Sequence, residues 1–307
     1  MAKTLRIRQW LKNLAVFAAI TFAGRLFDHK LFLDTLLAFL VLCGLSSATY
    51  IFNDLMDIER DQLHPVKKHR PIASGTLNPK VALLAAAFLV FFPLRLAAYL
   101  PTPFFFLCIL FLLLQFLYST VLRQIVLLDI FLIASGYVLR VMAGEFATGW
   151  HISVWLLLCV ISLSLFLAVG KRRAELTLLQ SLERKISRGT RQTLFHYPEK
   201  LLDIYTSMFA NSTWITYSFF TFFEPGPRPR PRVVEFLLDF FPWGLERKWM
   251  MTTIPVVMFG TMRYMQLIYA KKKGEAPEEV LLTDKPLLAT VFLWGLMVIG
   301  IIYVVGG

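Results

Sequence analysis

Asn53-Asp-Leu-Met-Asp-Ile-Glu-Arg-Asp61, then His64-Pro-Val-Lys67-Lys-His-Arg70-Pro-Ile-Ala-Ser-Gly75, sets acids and then bases at the end of a long apolar run. On a helix each residue advances about 100° and rises about 1.5 Å. With Asp54 as zero, Asp57 falls at about −60° and Asp61 at about −20°. The spacing predicts three carboxylates on a narrow arc of one helix face, spread over about two turns. Carboxylates so crowded repel each other unless a cation sits between them. Mg2+ meets that need, because it takes one or two carboxylates and fills its shell with water and substrate phosphates. Asp54, Asp57 and Asp61 are therefore the expected metal ligands and catalytic acids. A solvated helix end would carry the same residue types, but ionisable groups at a membrane boundary are functional by default.

The membrane boundary follows from composition. Of 307 residues, 57% are hydrophobic and only 17% charged, and the mean hydropathy is +0.62. That is a polytopic membrane protein rather than a soluble domain. The net charge of +12 does not imply nucleic acid, because the basic residues lie in short blocks between apolar spans. Such blocks set orientation in the bilayer and suit anionic substrates. Cys43, Cys108 and Cys159 each sit in an apolar run and read as packing residues, not as a disulfide or zinc framework. Residues 1–28 carry Lys3, Arg6 and Arg8 but no small-residue cleavage site, so the segment is expected to be retained.

Apolar runs of spanning length fall near residues 10–26, 32–53, 80–100, 103–120, 126–146, 151–169, 203–223, 249–270 and 286–305. The expected fold is all-α and polytopic, with about nine transmembrane helices in a single domain over residues 1–307. The first span is marginal on hydropathy, and Pro101 and Pro103 force a reversal between the third and fourth. With the N-terminus inside, Lys and Arg are in about threefold excess on the inner side. The expected orientation therefore places the N-terminus and the acidic motif in the cytoplasm and the C-terminus outside a cell (inner or plasma) membrane. Cytoplasmic loops are expected over 59–79 and 170–202. An extracytoplasmic loop over 224–248 contains Glu224-Pro-Gly-Pro-Arg-Pro-Arg-Pro-Arg232, which should be extended.

A second polar centre closes the sixth span, at Gly170-Lys-Arg-Arg-Ala-Glu-Leu176. With Lys171 as zero, Glu175 lies at about +40°, Arg172 at about +100° and Arg173 at about +200°. Lys171 and Glu175 share a face, Arg172 flanks it and Arg173 points away. The second and sixth spans run the same way, so an acidic, metal-binding wall and a basic wall can converge on one cytoplasmic cavity. Arg140 and Arg263 stand within or at the ends of apolar spans, where a charge needs a polar cavity or a partner. Asp129 and Glu145, on the same helix as Arg140, are candidate partners for it. A substrate-facing role is the alternative for Arg140, and for Arg263 with its neighbour Tyr264. Lys12 and Asn13, in Arg8-Gln-Trp-Leu-Lys-Asn13, lie beside the first span on the same side.

Taken together these residues resemble the UbiA superfamily of intramembrane prenyltransferases. The resemblance rests on Asn-Asp-x-x-Asp-x-x-x-Asp followed by His-Pro-x-Lys-x-x-Arg-Pro-Ile-Ala-Ser-Gly at the cytoplasmic end of a second helix. It implies nine helices around a central cavity open to lipid and cytoplasm. Most of the superfamily moves a prenyl group from its diphosphate to an aromatic acceptor and carries a second Asp-rich motif. Here the second motif is basic, and in this the chain is similar to the decaprenyl-phosphate phosphoribosyltransferase branch. Arg8 to Asn13, Leu139 to Gly144, Gly170 to Leu176, Arg263-Tyr264, Gly274 to Glu278 and Asp284 match that branch. Arg173, where an aromatic residue is usual, and the 224–248 loop depart from it.

The resemblance implies Mg2+-dependent transfer of 5-phosphoribosyl from phosphoribosyl diphosphate to a polyprenyl phosphate, with release of diphosphate, in cell-envelope precursor synthesis. On that reading Asn53 donates to phosphate or orients Asp57. Lys67 and Arg70 clamp phosphate oxygens. Lys171 and Arg172 hold the donor's 5-phosphate or the acceptor's phosphate, with Glu175 on the same face. Lys12, Arg140, Arg263 and Tyr264 complete the substrate-binding set. Arg173, pointing away, is expected to matter little for chemistry. The implied partners are the two substrates and the bilayer, with no nucleic acid and with a homo-oligomer left open. One alternative is an ordinary prenyltransferase using an aromatic acceptor. A remoter one is a lipid-phosphate transporter, which would use its charges on both sides in alternation.

Overall fold

The computed structural model describes residues 2–63, 67–182, 198–224, 248–269 and 277–306. A four-residue helix α1 (Ala2–Leu5) leads into a 3-10 helix, Ile7–Phe17, and then α2 (Ala18–Phe22). The long α3 (His29–Met56) is followed by short α4 (Ile58–Leu63). Then come α5 (Pro79–Ala97), α6 (Thr102–Thr120), α7 (Leu128–Thr148), α8 (Val154–Leu182) and α9 (Glu199–Phe223). The chain closes with α10 (Ile254–Tyr269), α11 (Pro277–Thr283) and α12 (Lys285–Ile299). Among the described residues six helices are long and apolar enough to cross a membrane: α3, α5, α6, α7, the Val154–Thr177 part of α8, and Lys285–Val305.

Helix starts follow local chemistry. Asp28 caps α3 by accepting from the backbone of Lys30 and Leu31 at 3.1 and 3.2 Å. Asn78 caps α5 through Lys80 N at 2.9 Å, with Pro79 in the first turn. Asp284 caps α12 through Leu287 N at 3.1 Å. Each satisfies backbone donors that a helix start leaves unpaired. The reversal expected at Leu100-Pro101-Thr102-Pro103 is present, with α6 beginning directly after Pro101.

The first expected span takes a different form. Residues Ile7–Phe17 are 3-10 rather than α-helical. Three residues per turn eclipse positions three apart, and Trp10, Asn13 and Val16 form such a stripe. Trp10 Nε1 donates to Ser47 Oγ at 3.0 Å, and Asn13 and Val16 are fully buried. A Cβ on Gly144 of α7 would collide with the Val16 carbonyl. A glycine is thus required where the two backbones meet.

The apolar interior forms several clusters. One joins the 3-10 segment, α3, α5, α6 and α7 around Leu42, Phe104 and Phe111. Another joins α7, α8 and α9 around Val169 and Leu202. α8, α9, α10, α11 and α12 meet around Phe166, Tyr264 and Leu267. Large apolar side chains such as Leu84, Phe91, Phe106 and Phe292 point outward, as lipid-facing helix surfaces require. The 224–248 loop and Arg184 to Arg191 lie mostly or wholly outside the described residues.

Candidate active site

The acidic motif sits where α3 ends, and its helix is not continuous. Asp57 is the C-terminal cap of α3, with φ −106° and ψ 13°, and α4 restarts at Ile58. Backbone bonds from Asp57 N to Asn53 O and from Asp61 N to Asp57 O, 3.1 and 2.8 Å, carry the chain across the break. The expected single arc of three carboxylates is therefore divided. Asp54 and Asp61 are buried and share one cation: Arg70 Nη1 lies 3.1 Å from Asp54 Oδ1 and 2.6 Å from Asp61 Oδ2. Arg6 also pairs with Asp54 Oδ1. Asp57 turns to Arg123, which holds both its oxygens at 2.7 Å and reaches Asn53 Oδ1 at 3.5 Å. The paired hydrogen bonds that Arg123 donates to Asp57 push its guanidinium above its ordinary range, against the effect of its burial. Arg60 adds a weaker contact to Asp57 at 3.7 Å.

The loop that presents Arg70 is folded from the sequence around it. Ile72 is buried against Ile51, Ala82 and Ala86, and Ala73 is buried too. Gln62 Nε2 donates to Ala73 O at 3.2 Å, and Gly75 takes φ +75° to turn the chain toward α5. With the following residues anchored, Arg70 is aimed back at α3 and α4. Lys67, in the Lys67–His69 turn, is exposed.

At the second polar centre neighbouring basic residues have different surroundings. Arg172 is fully buried; it pairs with Asp129 at 2.6 Å and with Glu175, and donates to Tyr118 Oη at 3.0 Å. Lys171 is half-buried and makes no hydrogen bond or ion pair among the described residues. Arg173 points to α9: it binds Asp203 at 2.6 Å, Thr177 Oγ1 at 2.5 Å and Glu199, and lies over the Tyr269 ring.

Arg140 is buried without a carboxylate among its described partners. Its Nε donates to Asn13 Oδ1 at 2.7 Å, Nη1 to Gly136 O and Nη2 to Ser46 Oγ at 3.4 Å, and it lies over Phe111. The partners considered for it from sequence go elsewhere: Asp129 to Arg172, and Glu145 to His151 at 2.7 Å. Asp129 lies eleven residues away, about 16 Å along the helix axis, too far for an ion pair. Lys12 donates to Gln9 Oε1 at 3.0 Å and faces the Tyr137 ring. Arg263 forms a paired bridge to Asp284 at 3.0 and 2.8 Å, joining α10 to the start of α12. Tyr264 is buried edge-on to Phe166 and beside Gly170.

Arg6, Tyr118 and Arg123 are among the members of these networks that the motif reading did not assign. The partner of Arg123 is 66 positions away. Among the described residues no three His, Cys, Asp or Glu side chains converge to hold a metal. Mg2+ needs only one or two carboxylates when water and phosphates complete its shell. The Asp54–Asp61 pair, already drawn to a single cationic nitrogen, has the donor chemistry and arrangement for it.

A helical membrane fold that carries an acid-rich motif and a second, basic motif defines an intramembrane transferase of the UbiA type. The chain belongs to the UbiA prenyltransferase family, whose model matches residues 14–196. Its nearer likeness is to the phosphoribosyltransferase branch. It is 32% identical to the decaprenyl-phosphate phosphoribosyltransferase of Corynebacterium glutamicum, over 99% of this chain and 87% of that protein. It is 31% identical to the Mycolicibacterium smegmatis protein of the same name, over 96% and 89%. In fold it is similar to a UbiA homolog from Archaeoglobus fulgidus bound to DMAPP and Mg2+. The TM-score is 0.68, at 17% identity over 98% of both chains.

Proposed function

We propose that this chain transfers the 5-phosphoribosyl group of phosphoribosyl diphosphate to a polyprenyl phosphate on the cytoplasmic side of a cell membrane. The observation that carries the choice of donor is the second polar centre. Asp129 and Glu175, the acids at that site, are held by a fully buried Arg172. A second carboxylate-bound metal is thereby disfavoured, and Lys171 is left half-buried to meet a phosphate. The names of the relatives above support the same reading.

Asp54, Asp57 and Asp61 form the proposed metal-binding motif, with Asp54 and Asp61 the better-disposed pair. Bound Mg2+ would neutralise charge growing on the departing diphosphate. Arg70 and Lys67 bind phosphate oxygens, Arg70 through paired donors. Asn53 and Arg123 orient Asp57. Lys171 holds the donor's 5-phosphate or the acceptor's phosphate, and Arg172 with Glu175 fixes the helix turn that carries it. Arg140, bonded to Asn13, sets the 3-10 segment and so Lys12. Arg263 with Asp284 sets Tyr264 beside Gly170. A phosphate oxygen of the acceptor forms the new bond to C1 of the ribose as the C1–diphosphate bond breaks. The acceptor is already an anion at neutral pH, so no strong base is needed, and positioning and electrostatics carry the rate.

Nine crossings remain the proposed count. The six long helices are joined by α9, by α10 with its preceding Trp249–Thr253 turn, and by Ile7–Phe22. A 3-10 rise of about 2 Å per residue lets this last segment reach about 30 Å, the thickness of the hydrocarbon core. With charge excess inside, the N-terminus is cytoplasmic and the C-terminus extracytoplasmic. Purified protein with labelled phosphoribosyl diphosphate, Mg2+ and polyprenyl phosphate should yield a labelled, organic-extractable lipid. Prenylation of an aromatic acid from prenyl diphosphate instead would replace this reading, and translocation without covalent change would favour a transporter.

A further inference from the structure

Arg6 has features that its place in a basic N-terminus does not require. It is one of two non-glycine residues with positive φ among those described, at φ 50° and ψ 50°. That backbone region is disfavoured for an L-residue with a long side chain. The chain is fixed on both sides of it: Leu5 O accepts from Ser47 Oγ at 2.9 Å, and Trp10 Nε1 donates to the same oxygen at 3.0 Å. The guanidinium crosses the face of Tyr50, 5.0 Å from its centroid, and ends on Asp54 Oδ1. Arg70 meets the same oxygen. Two cations thus converge on one oxygen of Asp54, whose side chain is only 3% exposed, while the Arg6 side chain is 20% exposed. Arg70 is tied to Asp61 as well as Asp54, whereas the described ion pair of Arg6 is to Asp54 alone, so Arg6 has the fewer contacts to release.

We propose that Arg6 is a resident counter-ion of Asp54 that yields its place to the divalent cation and then pairs with the phosphate oxygens of the incoming donor. This rests on the metal-site reading above and adds to it a positioning residue on the N-terminal segment. The exchange conserves local charge: the cation takes the carboxylate, and the displaced guanidinium meets the anion that arrives with the cation. Tyr50 supplies the shelf across which the side chain moves. A purely structural Arg6 would support Asp54, and its loss would weaken metal binding; an exchanging Arg6 competes with the metal, and its loss strengthens binding.

The test uses the full chain in nanodiscs, with Mn2+ alone as an oxygen-seeking stand-in for Mg2+, bound and free metal being counted by electron paramagnetic resonance. Arg6→Gln should bind Mn2+ about tenfold more tightly than the wild type and raise the donor KM. Arg6→Lys, which keeps the charge, should bind metal close to the wild-type level. Tyr50→Leu removes the aromatic shelf without altering any charge and should tighten binding by about threefold. It answers the question even where Arg6→Gln folds poorly. Equal or weaker Mn2+ binding in Arg6→Gln or Tyr50→Leu, or an unchanged donor KM in Arg6→Gln, overturns the exchange while leaving the metal site standing. A wild-type protein that binds no Mn2+ removes both.

Discussion

Replacing Arg172 by Met tests the difference between two adjacent basic residues. Arg172 is fully buried and Asp129 is 1% exposed, 2.6 Å from it. Removing the cation leaves the Asp129 charge buried without its main partner, which costs about 3–5 kcal/mol. Glu175 is 22% exposed on its side chain and can turn to water, so it adds little. For a chain of this size the loss corresponds to a fall in Tm of about 5–10 °C, measurable by fluorescence melting in detergent. Replacing both partners, Arg172→Met with Asp129→Leu, removes the pair together. Such exchanges are often neutral, so the double variant should melt within about 3 °C of the wild type. If the single variant melts normally but loses donor affinity, Arg172 contacts phosphate and the structural assignment is wrong.

Lys171→Gln should behave in the opposite way, with an unchanged melt and a donor or acceptor KM raised about tenfold or more; an unchanged KM would remove Lys171 from the site. Gly144→Ala forces a methyl group onto the Val16 carbonyl, so it should cost about 1–3 kcal/mol, and a wild-type melt would refute that contact. Arg173→Ala breaks pairs to Glu199 and Asp203, which are 45% and 39% exposed. It should cost no more than about 1 kcal/mol and leave turnover near normal, whereas a large loss of activity would tie Arg173 to the chemistry. Asp57→Ala should abolish turnover in a protein that still folds, and retained activity would remove Asp57 from the proposed motif.

Much of the helical fold was legible because spanning segments announce themselves by length and apolarity. α3, α5, α6, α7, α8 and α12 all stand where apolar runs placed them. The N-terminal segment was harder, since its 3-10 form depends on a stripe at Trp10, Asn13 and Val16. That spacing is visible in sequence, but a window tuned to 3.6 residues per turn blurs it. Within the acidic motif, spacing predicted a common face, and Asp54 and Asp61 do share one guanidinium. Asp57 left that face because the helix breaks there and Arg123 offers two hydrogen bonds. No periodicity could reveal this pairing, because it joins residues brought together only by packing. The same limit separated Lys171 from Arg172: angular position on α8 put both near a cavity wall, while burial depends on α6 and α7, which supply Tyr118 and Asp129.

One competition decides which activated group is transferred. The purified chain is supplied with Mg2+, polyprenyl phosphate, an aromatic acid, phosphoribosyl diphosphate and prenyl diphosphate together, and the lipid extract is weighed by mass spectrometry. The expected product is a polyprenyl phosphate heavier by one phosphoribosyl group, with free diphosphate released in equal amount. A prenylated aromatic acid, with the polyprenyl phosphate unchanged, would contradict phosphoribosyl transfer.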